Sequence, residues 1–181
     1  MPQTMLGLLA LALASLLSMQ QQQVAVDKQM NRIRSELAVH STSVAEDLLN
    51  VIGTMAFDGN TANPDIPPLT SSLQLTPASQ FGAGSGEASA IEDFHQNVGQ
   101  QFTRREIRRL DAATGQIRTD TLRFAIDARV SYVDERDLAT VLTNGQSKAK
   151  KVDVKVYSTT VSRPDTIRLS RSYVCATKCA W

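Results

Sequence analysis

Apolar residues fill Met5–Met19 (MLGLLALALASLLSM), interrupted only by Gly7, Ser15 and Ser18. Leu and Ala dominate and β-branched residues are absent, so propensity predicts a helix. Beyond it the pattern turns amphipathic: Val26, Met30, Ile33, Leu37, Val44, Leu48, Val51 and Met55 recur at three-, four- and seven-residue steps. No Pro or Gly occurs between Leu8 and Ile52, and Gly53 with Asp58-Gly59-Asn60 supplies the stop. The pattern predicts one helix over about residues 3–56, roughly 80 Å long. Its first half is apolar on every side, so lipid or copies of itself must cover it.

Thr61–Glu87 holds four of the six prolines and three of the nine glycines and carries no period, so it is expected to be a connector. Ile91, Phe94, Val98 and Phe102 fall at helical spacing and predict a short helix within Ser89–Phe102. Strict alternation begins afterwards. Leu122, Phe124, Ile126, Ala128, Val130 and Tyr132 oppose Arg123, Asp127, Arg129 and Ser131 over Thr121–Val133. Val152, Val154 and Val156 oppose Lys151, Asp153 and Lys155, and Ile167, Leu169, Tyr173 and Cys175 repeat the device, with Arg171 on the same face. This period of two indicates half-buried antiparallel strands. A fourth strand is expected around Thr103–Leu110, turning at Asp111–Gly115, and a turn at Thr143–Ser147 separates the central pair. The predicted fold class is α+β: a long N-terminal helix packed on a C-terminal antiparallel sheet of about four strands. The chain divides into an apolar helix half (1–26), an amphipathic half packing on the head (27–56), a connector (57–102) and a sheet head (103–181). Leu37, Val44 and Leu48 are expected to meet the inward strand residues, and Arg123 and Asp153 to face water.

The charge layout adds a second pattern. Residues 1–26 carry no charged side chain, 35–103 carry eight acids and no Lys or Arg, and 104–181 carry sixteen basic residues against nine acids. Blocks of −8 and +7 follow from that count. They suit either head-to-tail attraction between copies or folding of one block against the other within a subunit. The overall balance, Lys+Arg 19 against Asp+Glu 18 in 181 residues, gives no reason to expect a specific nucleic-acid partner. The cluster Arg104-Arg105-Glu106-Ile107-Arg108-Arg109 has no aromatic interleaving, and fits a solvated strand face or an inter-subunit charge contact.

The apolar run alone covers about 22 Å, short of a hydrocarbon core of about 30 Å, whereas the uncharged stretch to Val26 reaches about 39 Å. Three readings compete for it. A secretory signal would begin with basic residues, and Met1–Thr4 has none. A plain anchor would carry basic residues on its cytoplasmic side, and here Lys28, Arg32 and Arg34 all follow the segment. A segment whose own leader was removed fits a Met1 that persists before Pro2, making Met1 the expected processed N-terminus. Gln20–Gln23 then lie where amides need polar partners if the segment is buried.

Catalytic motifs are missing from the sequence. No P-loop, dinucleotide fingerprint, H-E-x-x-H or G-x-S-x-G run occurs, so no enzymatic activity, catalytic residue, metal site or cofactor is expected. His40 and His95 read as surface or packing histidines. Cys175 and Cys179 would stand about 13 Å apart on an extended strand, too far to bridge; a turn after Cys175 brings a disulfide within reach. Export favours that disulfide over free thiols.

A helix apolar first and amphipathic second, a connector and a strand-rich head together resemble the type IV pilin superfamily in architecture. In that family a basic leader is cut before a residue that is often Phe or Met; Met1 matches. The family usually carries Glu at the fifth mature position, where this chain has Met5, and many bacterial members have Pro near position 22, where it has Gln22. The resemblance implies a structural, pilin-like subunit of an extracellular filament serving attachment or surface motility. It would be held in the cytoplasmic membrane before assembly, with copies of itself and an assembly machinery as partners. The filament core and membrane segment would be built from Met5, Leu6, Leu8, Leu9, Leu11, Leu13, Leu16 and Leu17. The alternatives are a minor pilin or pseudopilin of a secretion or pilus machine, and a filamentous-virus coat protein.

Overall fold

A computed structural model describes residues 2–63, 65, 67–83, 88–95, 103–110, 115–159, 166–176 and 178–179. Helix α1 runs Pro2–Gly53, followed by the short α2 at Gly59–Ala62 and single 3-10 turns at Ser72–Gln74, Ala78–Gln80 and Ile91–Phe94. Strands β1 (Thr103–Leu110), β2 (Ile117–Val133), β3 (Ala149–Ser158) and β4 (Thr166–Val174) follow. The fold class is α+β. The chain divides into two compact units, Met1–Val39 and His40–Trp181.

In the first unit the chain is helical from Pro2 onward. Its described side chains are almost all exposed, with half-burial confined to Ile33, Glu36, Leu37 and Ala38. Arg32 and Glu36 pair across one turn at 3.3 Å, a solvated contact of little consequence for stability.

The second unit holds the core. All strand pairs are antiparallel, in the order β1-β2-β3-β4. The expectation of about four packed strands is corrected to three, β2–β4, which carry the core. β2 is 17 residues long, and only Phe124–Val133 pairs with β3. Its first half, Ile117–Phe124, forms a ribbon with β1 beyond that region. The alternation holds as read: Phe124, Ile126, Ala128, Val130, Val152, Val154 and Val156 are buried in one core, whereas Arg123 is exposed and Asp153 half-buried. Leu122 and Leu169 pack on that core from partly buried positions. Arg171, on the inward parity of β4, stays exposed and donates to Asn50 Oδ1 at 2.9 Å.

The helix contributes Val44, Ala45, Leu49 and Ile52 to the core, with Leu48 beside them. One expectation fails here: Val51 is exposed. Leu37 is half-buried and lies in the first unit. α1 stops at Gly53, where an added Cβ would stand 3.3 Å from the Tyr173 ring, while the Tyr173 hydroxyl donates to the Leu49 carbonyl at 2.6 Å. The strand is thus tied to the end of the helix through the Leu49 carbonyl.

The connector is ordered by caps rather than by periodicity. Asp58 caps α2 and Ser71 caps the turn at Ser72–Gln74, each in a reciprocal capping box. Ile91 and Phe94 are buried, in a single 3-10 turn rather than the short helix expected; Val98 and Phe102 lie outside the described residues. Gly145, at φ +100°, supplies the left-handed position in the predicted turn between β2 and β3. The turn residues Asp111–Thr114 lie outside the described residues, and Gly115 after them has φ +66°.

β4 ends at Val174, and the chain then turns so that Cys175 and Cys179 form a disulfide with their Cα atoms 5.9 Å apart. The Leu69 amide donates to the Lys178 carbonyl at 2.8 Å, so the disulfide loop also holds the connector. Closing so short a loop removes about 2 kcal/mol of unfolded-chain entropy. Changing both cysteines to serine is expected to lower the urea midpoint by that equivalent, with the denaturant slope unchanged. An unchanged midpoint would show that the disulfide only decorates the end of the chain.

Candidate functional site

Two features stand out, one in each unit. The first is the apolar surface of the first-unit helix. Leu11, Leu13, Leu16, Leu17, Met19, Val24 and Val26 each expose more than half of their surface. At about 100° per residue they spread over roughly 240° of the circumference. A single partner helix covers a stripe of about 100°, so this surface needs several neighbours. Of the core residues read from the sequence, Leu11, Leu13, Leu16 and Leu17 are placed on that exposed surface. Met1 and the side chains of Met5, Leu6, Leu8 and Leu9 lie outside the described residues. Gln20–Gln23 are exposed next to this patch. Among the described residues no helix is long and apolar enough to cross a membrane.

The second feature was not foreseen. Lys150, on β3, is fully buried, and its ammonium spends its three N–H groups on Asp58 Oδ2 (2.8 Å), Glu92 Oε2 (2.7 Å) and the Phe57 carbonyl (2.8 Å). Asp58 is fully buried and Glu92 nearly so. The register of β3 forces Lys150 inward, because it shares the parity of Val152, Val154 and Val156. The caps of the connector aim the two acids. Asp58 Oδ1 accepts from the Asn60 amide (3.1 Å), the Thr76 amide (3.2 Å) and the Thr76 hydroxyl (2.8 Å). Glu92 Oε1 accepts from the Gly59 amide at 2.6 Å. The Tyr132 hydroxyl donates to the Thr76 carbonyl at 2.8 Å and lies 3.3 Å from Asp58 Oδ2. Rings of Phe57, Phe81 and Tyr132 stand 4.7, 5.2 and 5.3 Å from the ammonium.

No buried side-chain nitrogen or oxygen among the described residues lacks a partner. Burial pushes the Asp58 carboxyl up, but the Lys150 charge and the hydrogen bonds from Lys150 and Thr76 outweigh it and hold it below the usual carboxylate range. The Tyr132 phenol is driven far up by burial and by the neighbouring Asp58 and Glu92 charges, so it stays a neutral donor. The cluster also decides part of the charge-block question. Asp58 and Glu92 come from the acidic block and Lys150 from the basic one, so these two acids are matched within the subunit.

His95 has a packing role. β1 does not reach the second half of β2, and His95 closes that edge: its Nδ1 accepts the Val130 amide at 3.0 Å and its ring meets Phe81 edge-on. Burial, aided by Arg129, holds the imidazole below its ordinary value of 6.5. Its lowered value means that the folded chain binds its proton less readily than the unfolded chain. The contribution of His95 is thus complete above 6.5 and is lost as pH falls from there through the folded value. Wild-type stability is expected to drop over that window, and His95→Gln is expected to remove the drop in urea titrations. His40, on α1, is half-buried and makes no such edge contact among the described residues.

The outer face of the sheet carries an open cleft of about 450 Å³ lined by Asp127, Arg129, Asp153, Lys155 and Arg168. Asp127 stands opposite Lys155 and Arg129 opposite Asp153, so its charges are largely matched across strands. The side chains of Arg104–Arg109 on β1 lie outside the described residues. Comparison with protein-family models, with curated proteins and with solved structures finds no match for this chain.

Proposed function

We propose that the protein is a pilin-like structural subunit that polymerises through its N-terminal helix into an extracellular filament serving attachment or surface motility. The observation that carries the reading is the broad apolar surface from Leu11 to Val26, too wide for one partner helix and exposed in the isolated chain. Each of its leucines gains about 1.5–3 kcal/mol when fully buried, so bundling of first-unit helices into a core is strongly favoured. Before assembly the same surface rests in the cytoplasmic membrane. Transfer from lipid to protein exchanges one apolar surround for another, so helix packing and the exposed head charges supply specificity. The head, internally fixed by its ion cluster and disulfide, forms the outer shell.

The test is to shear surface material from cells producing the full chain and to examine it by electron microscopy and protein mass analysis. Filaments in which this chain is the main component support the reading. Its restriction to a few copies in a membrane machine would replace it with the minor-subunit role. Recovery only as a dispersed soluble monomer would refute both.

A further inference from the structure

We propose that Lys150 and Asp58 condense into an intramolecular amide bond, with Glu92 as the base that moves the proton. An ordinary buried salt bridge needs one acid; here one ammonium is held by two, at 2.7 and 2.8 Å, with all three groups closed to water. The two acids are differently placed. Asp58 Oδ1 faces the Asn60 amide and the Thr76 hydroxyl and shares the Thr76 amide with Oδ2, an arrangement that stabilises an oxyanion, while Oδ2 also faces the amine. Glu92 Oε1 is pinned by the Gly59 amide and Oε2 points at the same nitrogen, as a base would. The rings of Phe57, Phe81 and Tyr132 wall the nitrogen in, and the fold holds nucleophile and carboxyl in contact. Such positioning is worth effective concentrations of about 10⁵ M or more.

The atoms balance without an oxidant or a co-reactant. An ammonium proton passes along the 2.8 Å bond to Asp58 Oδ2, giving a neutral amine and a neutral acid, the minor but reactive form of a pair that rests ionised. The nitrogen lone pair then attacks Asp58 Cγ. The new C–N bond forms as the carbonyl pair moves onto Oδ1, into the Thr76 and Asn60 donors. Glu92 Oε2 takes a second proton from the nitrogen and delivers it to the Oδ2 hydroxyl, which leaves as water when the pair on Oδ1 returns. An amide, one water and the Glu92 carboxylate remain, with the same net charge as at the start. The bond would tie the connector to β3 across 92 residues of sequence.

Intact-mass measurement of the full chain, folded and then reduced and denatured, tests this. The wild type is expected to be lighter than its sequence by one water and to yield a branched peptide joining the segments of Asp58 and Lys150. Glu92→Gln, confirmed as folded by circular dichroism, is expected to keep the full mass of its sequence. Lys150→Arg must also keep full mass, because Asp58-Gly59 could lose water alone by forming a cyclic imide. A folded wild type at full sequence mass overturns the proposal, as does water loss that persists in Lys150→Arg. Complete cross-linking in Glu92→Gln would remove Glu92 from the mechanism.

Discussion

Lys150→Met is expected to destabilise the second unit by about 3–5 kcal/mol, because it leaves two carboxylates buried without their cation. That is a large share of a stability of about 5–15 kcal/mol, so the urea midpoint of the variant should fall far below that of wild type at neutral pH. The pH dependence identifies the cause. Without Lys150, burial of the Asp58 carboxyl is opposed chiefly by the Thr76 hydrogen bonds, and its folded value rises. Its contribution is then present in full below the unfolded value of 3.8 and is lost as pH rises through the folded value. The ionised wild-type cluster has the opposite sign. Its Asp58 value is lowered, so stability is present above 3.8 and is lost as pH falls through the folded value. Once Asp58 is in an amide it no longer titrates, and that acid-side loss disappears from the wild type. Urea midpoints of both chains between pH 3 and 8 would check this. A Lys150→Met variant that is equally stable at neutral pH, or less stable in acid than at neutral pH, would contradict it. Restoring stability with Asp58→Asn and Glu92→Gln in the same chain would confirm that stranded charge is the cause.

The strands were legible because each has one wet face and one dry face, and a one-residue slip would bury Arg123 and expose Phe124. The helix was legible in extent but not in phase. Viewed along the axis, the buried positions Ser41, Val44, Ala45, Leu49 and Ile52 span about 140°, and Val51 falls about 20° outside that arc. A stripe of apolar letters carried through 30 residues could not locate this sector, because it included Val51 and passed over Ala45 and Leu49. The ion cluster was hidden for a different reason. Asp58-Gly59-Asn60 has the composition of a helix stop, and it does cap α2, so nothing in its letters announced a second role. Glu92 sits in a segment without usable period. The one available signal was Lys150, which shares the inward parity of three valines and therefore demanded a buried acid. The packed sheet was overcounted because β2 is long enough to pair with β1 and β3 at different ends, which alternation alone does not reveal.

Leu13→Asp combined with Leu16→Asp is expected to abolish filament assembly while leaving the head intact. Both leucines are more than half exposed in the isolated chain, so the substitutions remove no packing within the subunit. Both lie in the first unit, whereas Phe124, Val154 and their neighbours form the core of the second. Urea unfolding of the head should therefore remain within about 0.5 kcal/mol of wild type. In an assembled core each carboxylate would meet apolar neighbours, at a cost of about 3 kcal/mol by analogy with a charge at the centre of a membrane helix. Every 1.4 kcal/mol is tenfold in affinity, so two such charges should raise the concentration needed for assembly about 10⁴-fold. Leu13→Ala with Leu16→Ala keeps the surface apolar and serves as the control, losing contact area without stranding a charge; its filaments should be fewer but present. Because a charge would also hinder residence in a membrane, the membrane-associated pool of each variant is measured beside its filaments. Wild-type filament yield from the aspartate variant would show that this surface is not the polymerising one, whatever holds the head together.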